Sequence, residues 1–312
     1  MLDVRRLRVL KEVAAKGSFS AAAESLAYTQ SAVSQQIAAL EREAGVTLVD
    51  RSARGVRLTD AGRVLVGHTE AILARLADAE SELEALSGLR AGRLRLGAFA
   101  SAGATIMPAA IACFRERHPG VEVTLVPAEP DDAIVAVKAG DLDVALDIST
   151  TWSKSDGDGV ERTHLLDDPM YLVLPAAHPA AERRKVRLEE LADESWILGS
   201  VDASCPDSQI LERACRSAGF EPLIAFNSDD YNAIQGFVAA GVGVSLIPDL
   251  ALISVRDDVV VRSLGARPPL RRIEALTSAT GYVSPAKQAM LDILVEVGTD
   301  FAGRRETLRL AA

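Results

Sequence analysis

The sequence predicts a mixed α and α/β protein: a small helical head closed by a hairpin, one long helix, and a larger α/β body. Three observations predict it. Residues 18–45 hold two short helical patterns meeting at a tight corner, and residues 59–86 run without proline in an apolar spacing that alternates four and three. From residue 92 onward, short apolar strands alternate with amphipathic helices. The part beyond the long helix, roughly 220 residues, is enough for one large or two small α/β domains.

Ser18 is suited to cap a first helix through Ala21, Ala22, Ala23 and Leu26, whose small side chains let a second helix cross close by. Thr29 caps that second helix. In it Val33, Ile37 and Leu40 recur at i, i+4 and i+7 as a buried stripe, and Gly45 stops it. The face left free carries Gln30, Ser31, Ser34 and Gln35 near the helix start. Amides and hydroxyls there match the donors and acceptors of base edges in a major groove, and the helix end favours phosphate oxygens. With Ser18 and Thr29 at the two helix starts they form a candidate DNA-facing set; the other reading is an ordinary polar surface. After Leu48 the chain reads V-D-R-S-A-R-G-V-R-L-T, a small hairpin with Arg51, Arg54 and Arg57 around Gly55. That is the pattern of a wing, whose guanidinium groups suit a minor groove and its phosphates.

Taken together, G-S-F-S-A-A-A-E-S-L, Q-S-A-V-S-Q-Q-I-A-A-L-E, G-V-T-L-V-D-R and R-L-T-D-A-G resemble the DNA-binding domain of LysR-type transcriptional regulators. The resemblance covers about the first sixty-five residues. Val49-Asp50 stand where the family more often has Phe-Glu, a departure expected to alter packing at the wing rather than function. The resemblance implies a winged helix-turn-helix over residues 1–60 that binds double-stranded DNA. Charge agrees with this division: residues 1–60 hold nine Lys/Arg and seven Asp/Glu, leaving 25 against 37 for the rest of a chain of net charge −10. An acidic chain does not bind nucleic acid indiscriminately, so affinity is concentrated in the head.

Thr59 is suited to start the long helix. Leu65, Ile72, Ala79 and Leu86 fall seven apart with Thr69, Leu76 and Leu83 between them, the seam of a two-chain coiled coil; a single amphipathic helix on its own domain is the alternative. The resemblance favours a linker helix over 61–90 that holds two winged modules apart, in a homodimer or homotetramer reading an inverted-repeat operator.

In the body, strands are expected at L-R-L-G-A-F, V-E-V-T-L-V, D-V-A-L-D, Y-L-V-L-P, W-I-L-G, G-V-S-L-I-P and R-I-E-A-L-T. Helices are expected through Met107, Ile111 and Phe114, then over 131–138, 187–192, 207–218, 233–239 and 285–297, and the alternation implies a parallel sheet. The phrases F-R-E-R-H-P-G-V-E-V, G-D-L-D-V-A-L and V-A-A-G-V-G-V-S-L-I-P resemble the family's effector domain. That resemblance implies two α/β lobes like those of periplasmic solute-binding proteins: lobe I over 91–166 and 268–300, lobe II over 167–267, and a C-terminal tail over 301–312. A small-molecule effector is then expected in the cleft at the strand ends. Ser101 and the adjoining Ala102 open a helix after the first strand and are candidates to hold an anionic group; a plain helix cap is the alternative. Asp147 ends another strand, Gly199 and Ser204 fall in the family's ligand loop, and Ser228, Asp229 and Tyr231 precede a further helix. Asp147 and Asp229, if both reach the cleft, favour an amine or a polyhydroxyl ligand. The family's mechanism passes lobe movement to DNA bending and to contact with RNA polymerase.

Cys113, Cys205 and Cys215 form no CxxC pair and the four histidines are scattered, so neither a metal site nor a disulfide framework is expected. Cys205 and Cys215 lie where peroxide-sensing members of the family carry a redox pair, which makes a thiol-based sensor an alternative; a DNA-independent solute-binding or interaction protein is another. No GxSxG, GxxxxGK[ST], HExxH or complete GxGxxG occurs, so no enzyme and no cofactor are expected. The charged N-terminus has no long apolar run, so neither export nor a membrane span is expected and the chain reads as cytoplasmic.

Overall fold

The fold is seen in a computed structural model that describes residues 1–52, 55–86, 92–150, 152, 159–183, 186–199, 205–265, 267–280 and 283–311. Its head has three helices, one more than the sequence reading anticipated. The added helix, α1 (Val4–Lys16), is capped by Asp3, whose carboxylate accepts from the Arg5 N–H at 2.8 Å, and ends at Gly17 in the left-handed conformation. Helices α2 (Phe19–Ser25) and α3 (Gln30–Ala44) start at Ser18 and Thr29, whose hydroxyls accept from Ala21 and Ala32 N–H, and Gly45 closes α3 at φ +71°. Val33, Ile37 and Leu40 are fully buried against Leu7, Leu10 and Val13. Strands β1 (Val49–Ser52) and β2 (Gly55–Leu58) pair antiparallel with Val49 opposite Leu58, and Val49 lies in the head core.

Helix α4 (Asp60–Leu86) has 27 residues, a rod about 40 Å long. Thr59 Oγ1 accepts from the Gly62 N–H at 3.0 Å at its start. The expected seam is divided in use. Leu65 packs on the head core and Thr69 is fully buried within the same chain, its hydroxyl donating to the Leu65 carbonyl at 2.7 Å, whereas Ile72 and Leu76 stay exposed. The side chains of Leu83 and Leu86 lie outside the described residues.

The body opens with β3 (Arg93–Ala98), α5 (Ala100–Ala104), α6 (Ile106–Arg117), β4 (Glu122–Pro127), α7 (Pro130–Lys138) and β5 (Val144–Ser149). Then β6 (Val160–Pro175) runs 16 residues without a break. It is followed by a 3-10 turn at Leu188–Leu191, β7 (Ser195–Leu198), α8 (Pro206–Ser217), β8 (Leu223–Asn227), α9 (Tyr231–Ala239), β9 (Ser245–Pro248), a second 3-10 turn at Asp249–Ala251, β10 (Val259–Arg262), β11 (Leu270–Ser278) and α10 (Pro285–Ala311).

The main sheet has the order β10-β6-β11-β5-β3-β4, with β9 also on β6. Strand β6 serves two lobes. Its first part pairs antiparallel with β11, from Val160 opposite Ser278 to Pro169 opposite Leu270, and its last part pairs with β9 and β10, from Met170 opposite Pro248 to Pro175 opposite Val259. The handover thus falls a few residues beyond the expected lobe boundaries at 166–167 and 267–268. The expectation of a parallel sheet needs correction: β4, β3 and β5 are parallel, but β6 and β11 are antiparallel to their neighbours, because these strands carry the chain between lobes without a helical crossover. The helix expected at 187–192 is only a 3-10 turn, and β8 and β10 were not anticipated.

Residues 301–311 are no separate tail, since α10 continues through them. Gly298 does not end this helix; it lets α10 press onto β6 so closely that an added Cβ would meet the Leu165 carbonyl oxygen at 2.9 Å. Leu94, Leu96, Phe114, Leu146, Ile273 and Leu294 centre the core of lobe I, and Leu172, Trp196, Ile210 and Leu246 that of lobe II. Among the described residues, no helix is long and apolar enough to cross a membrane.

Candidate nucleic-acid interface and interlobe cleft

The head presents the amino end of α3. Its buried stripe turns Gln30, Ser31 and Gln35 outward, all exposed, with Ser34 half-buried beside them. Thr29 has two tasks, capping α3 and lying 3.0 Å from the Ser31 hydroxyl, so the first turn of the polar face is ordered by its own cap. Ser18, by contrast, is half-buried and engaged as the cap of α2, 3.4 Å from the Ala21 nitrogen. On the hairpin, Arg57 is exposed; Arg54 and the side chain of Arg51 lie outside the described residues. Behind the face, Arg6 bonds Gln36 at 3.2 Å and pairs with Glu43, tying α1 to α3. Glu41 accepts from the Leu48 N–H at 2.8 Å and the Val49 N–H at 3.3 Å, fixing the hairpin to the same helix.

Between the lobes lies a cavity of about 740 Å³ within the size range of small-molecule sites. Ser101, Asp147, Gly199, Asp229 and Tyr231 line it as expected. Two candidates do not. Ala102 is fully buried in the lobe I core, because Phe99 rather than Ser101 caps the five-residue α5 and the helix is turned one residue further round. Ser228 is absent from the wall and accepts from the Asp230 N–H at 3.2 Å, closing the turn before α9. Ser204 lies outside the described residues.

What organises the cleft is a residue the sequence reading missed. Arg271, on β11 where the chain re-enters lobe I, is 1% exposed. Its Nε donates to Asp168 at 2.8 Å, Nη1 to both oxygens of Asp207 at 3.0 and 3.1 Å, and Nη2 to the Ser101 hydroxyl at 2.7 Å. The guanidinium also lies 5.3 Å from the Phe99 ring centroid. Asp168 accepts in addition from the Leu250 N–H at 3.1 Å, and the Tyr231 hydroxyl donates to Asp207. One cation therefore joins α5 of lobe I, α8 of lobe II and the strand between them. The Ser101 oxygen thus accepts from Arg271, which fixes the hydroxyl at the lobe junction and leaves its O–H as the donor it can offer.

Burial works against the Arg271 charge, but Asp207 and Asp168 outweigh it and hold the guanidinium above its ordinary range. Burial pushes Asp168 up to about 6 against the pull of Arg271, and Asp147 up to about 6 against Arg162, which pairs with it directly and lies 3.8 Å from Glu274. Burial and then the Asp207 charge raise the Tyr231 phenol, so it stays a donor.

The thiols argue against a redox pair. Cys205 caps α8 and Cys215 lies within that helix, ten positions on, which sets them about 15 Å apart on a rigid element. A disulfide needs Cα atoms within roughly 4.4–6.8 Å, so a bridge requires α8 to unfold. Burial also raises both thiols, Cys215 to about 12. Among the described residues no cluster of three or more metal-ligating side chains occurs.

Comparison with known proteins agrees with this architecture. A model for bacterial regulatory helix-turn-helix proteins of the lysR family matches residues 4–63, and one for the LysR substrate binding domain matches residues 87–299. The chain is 32% identical to the transcriptional dual regulator GltC of Bacillus subtilis, over 80% of this chain and 81% of that protein. It is 31% identical to the probable HTH-type transcriptional regulator LrrA of Synechococcus elongatus, over 94% and 96%. Its fold is similar to that of CbnR, a LysR family transcriptional regulator (TM-score 0.65, 20% identity, 95% and 99% covered), which has also been solved with its target DNA. Full-length OxyR from Pseudomonas aeruginosa is similar too (TM-score 0.71, 24% identity, 95% and 98% covered).

Proposed function

The chain belongs to the LysR-type family of transcriptional regulators, with a helix-turn-helix head and an effector-binding body, and from that premise we propose that it binds double-stranded DNA through α3 and the hairpin arginines under control of a small molecule in the interlobe cleft. The exposed amide and hydroxyl face of α3, held in place from behind by a fully buried stripe, carries this reading. Gln30, Ser31, Ser34 and Gln35 read base edges; Arg51, Arg54 and Arg57 supply the charge-driven, sequence-independent part. Two chains joined along the exposed part of α4, where Ile72 and Leu76 face outward, present two heads to an inverted-repeat operator as a dimer or a dimer of dimers. An effector that binds one arrangement of the lobes better than another shifts the population by its differential affinity, and the change reaches RNA polymerase through the spacing of the heads. The chain acts without a catalytic site of its own.

Fluorescence anisotropy with the chain's own upstream DNA tests the reading. Gln35→Ala is expected to cost about 1–3 kcal/mol at one base position and relax selectivity there. Arg54→Ala is expected to weaken all sequences alike and lower the salt slope by about one. Binding that ignores both substitutions contradicts the reading.

A further inference from the structure

The charge of the cleft says which class of effector it takes, an inference that rests on the cleft reading just given. Both guanidinium groups that face the cavity are already engaged: Arg271 by Asp168, Asp207 and Ser101, and Arg162 by Asp147 with Glu274 close by. An organic anion entering the cleft competes with a built-in carboxylate at either. Four further carboxylates border the same cavity, Glu129, Asp131 and Asp132 from lobe I and Asp229 from lobe II, and among the described residues none is paired with a cation. The Glu129 carboxyl is held above its ordinary range first by partial burial and next by the charges of Asp207 and Asp229, both on the opposite lobe. Like charges on facing walls resist closure, and a cation seated between them removes that resistance.

We propose that the effector is a small organic amine, whose ammonium group sits between Glu129 of lobe I and Asp229 of lobe II and draws the lobes together. The cavity, at about 740 Å³, is far larger than an ion requires, and Phe99 and Ile134 on its wall offer apolar surface to a carbon skeleton. No three metal-ligating side chains converge among the described residues, which separates this site from a divalent-cation site. The cleft does not need the acidic wall to be a cleft; the wall decides what the cleft admits.

The test uses the full chain in thermal-shift and calorimetric titrations. Primary amines led by 1,4-diaminobutane are set against dicarboxylates led by succinate, inorganic phosphate and magnesium ion. An amine is expected to raise the melting midpoint by about 2 °C or more at saturation. Glu129→Gln and Asp229→Asn are each expected to weaken it at least tenfold, while Asp300→Asn, an exposed carboxylate on α10 away from the cleft, leaves its affinity unchanged. Each cleft variant removes a repelled charge, so its unliganded midpoint is expected to hold or rise, and a lost response is then not a folding defect. Stabilisation by succinate or phosphate but not by amines overturns the charge assignment and leaves the cleft reading standing. A magnesium response lost in the same variants overturns the organic assignment. If neither charge class moves the midpoint, the assignment falls, and the anisotropy titration still decides DNA binding separately.

Discussion

Arg271 is enclosed, with Asp168 and Asp207 on its edges, so truncating it strands at least one carboxylate in a site that water does not reach. Arg271→Met is expected to destabilise the body by about 3–5 kcal/mol, read as a lower urea midpoint, and Arg271→Met with Asp168→Asn to recover part of that loss. Lysine at this position is expected not to rescue, because one ammonium cannot reach two carboxylates and a hydroxyl in the fork geometry of a guanidinium. Asp147 gives a pH signature. Its folded-state pKa, about 6, lies above the ordinary value of 3.8, so the folded chain holds this proton more tightly than the unfolded one. Its contribution to stability is complete below the ordinary value and is lost as pH rises through about 6, by at most about 3 kcal/mol. Asp147→Asn is expected to reduce the dependence of melting temperature on pH between about 4 and 7 by roughly half, leaving the comparable slope of Asp168. None of these partnerships was legible in the sequence: Asp168 and Asp207 stand 103 and 64 positions from Arg271, and nothing local to R-R-I-E-A-L-T marks its first arginine as the buried one and its second as exposed. Ser101 was found because a hydroxyl between a strand and a helix is a local signal, but its partner was not.

Elements with short-range causes were the readable ones. Thr29, the 3.6-residue stripe and Gly45 define α3 within seventeen residues, and the structure uses all three as the pattern implies. Helix α1 carries the same local signals, Asp3 as its cap ahead of the buried Leu7, Leu10 and Val13. Strands β8 and β10 are short, and the local pattern gives no hint of β8's register on β7. The start of α4 offers a matched pair of glycines. At Gly62 an added Cβ would overlap the Leu48 carbonyl oxygen, whereas Gly67 is exposed with open space around it. Gly62→Ala is expected to cost about 1–3 kcal/mol by pushing the rod off the hairpin, and Gly67→Ala to stabilise the helix by up to about 1 kcal/mol, both measurable by thermal unfolding. Further along the rod, Leu76→Glu is expected to shift the chain toward monomer in sedimentation velocity if two chains join along α4 as proposed, since that leucine is exposed on its own chain.

Across the whole molecule, fold class followed from the order of patterns, while the pairing of distant strands did not. Alternation of strand and helix cannot distinguish a parallel crossover from two strands that pass directly between lobes, and here the second arrangement holds. Helix α10 adds a further tie between the lobes. Its body packs on lobe I, and Arg305 near its end bonds Asp249 through Nε at 2.9 Å and the Leu252 carbonyl at 3.3 Å in lobe II. Arg305→Ala is expected to speed amide exchange over 249–252 while leaving the lobe I core protected. Strand β6, shared end to end by both halves of the body, has one more consequence. The head can be traded for another by a single cut and splice, but neither half of the body can be excised as a cassette, because its border strand would leave with half of its neighbour's scaffold. Ligand preference in this body is therefore expected to be re-engineered by substitution at the cleft walls and not by exchange of a lobe.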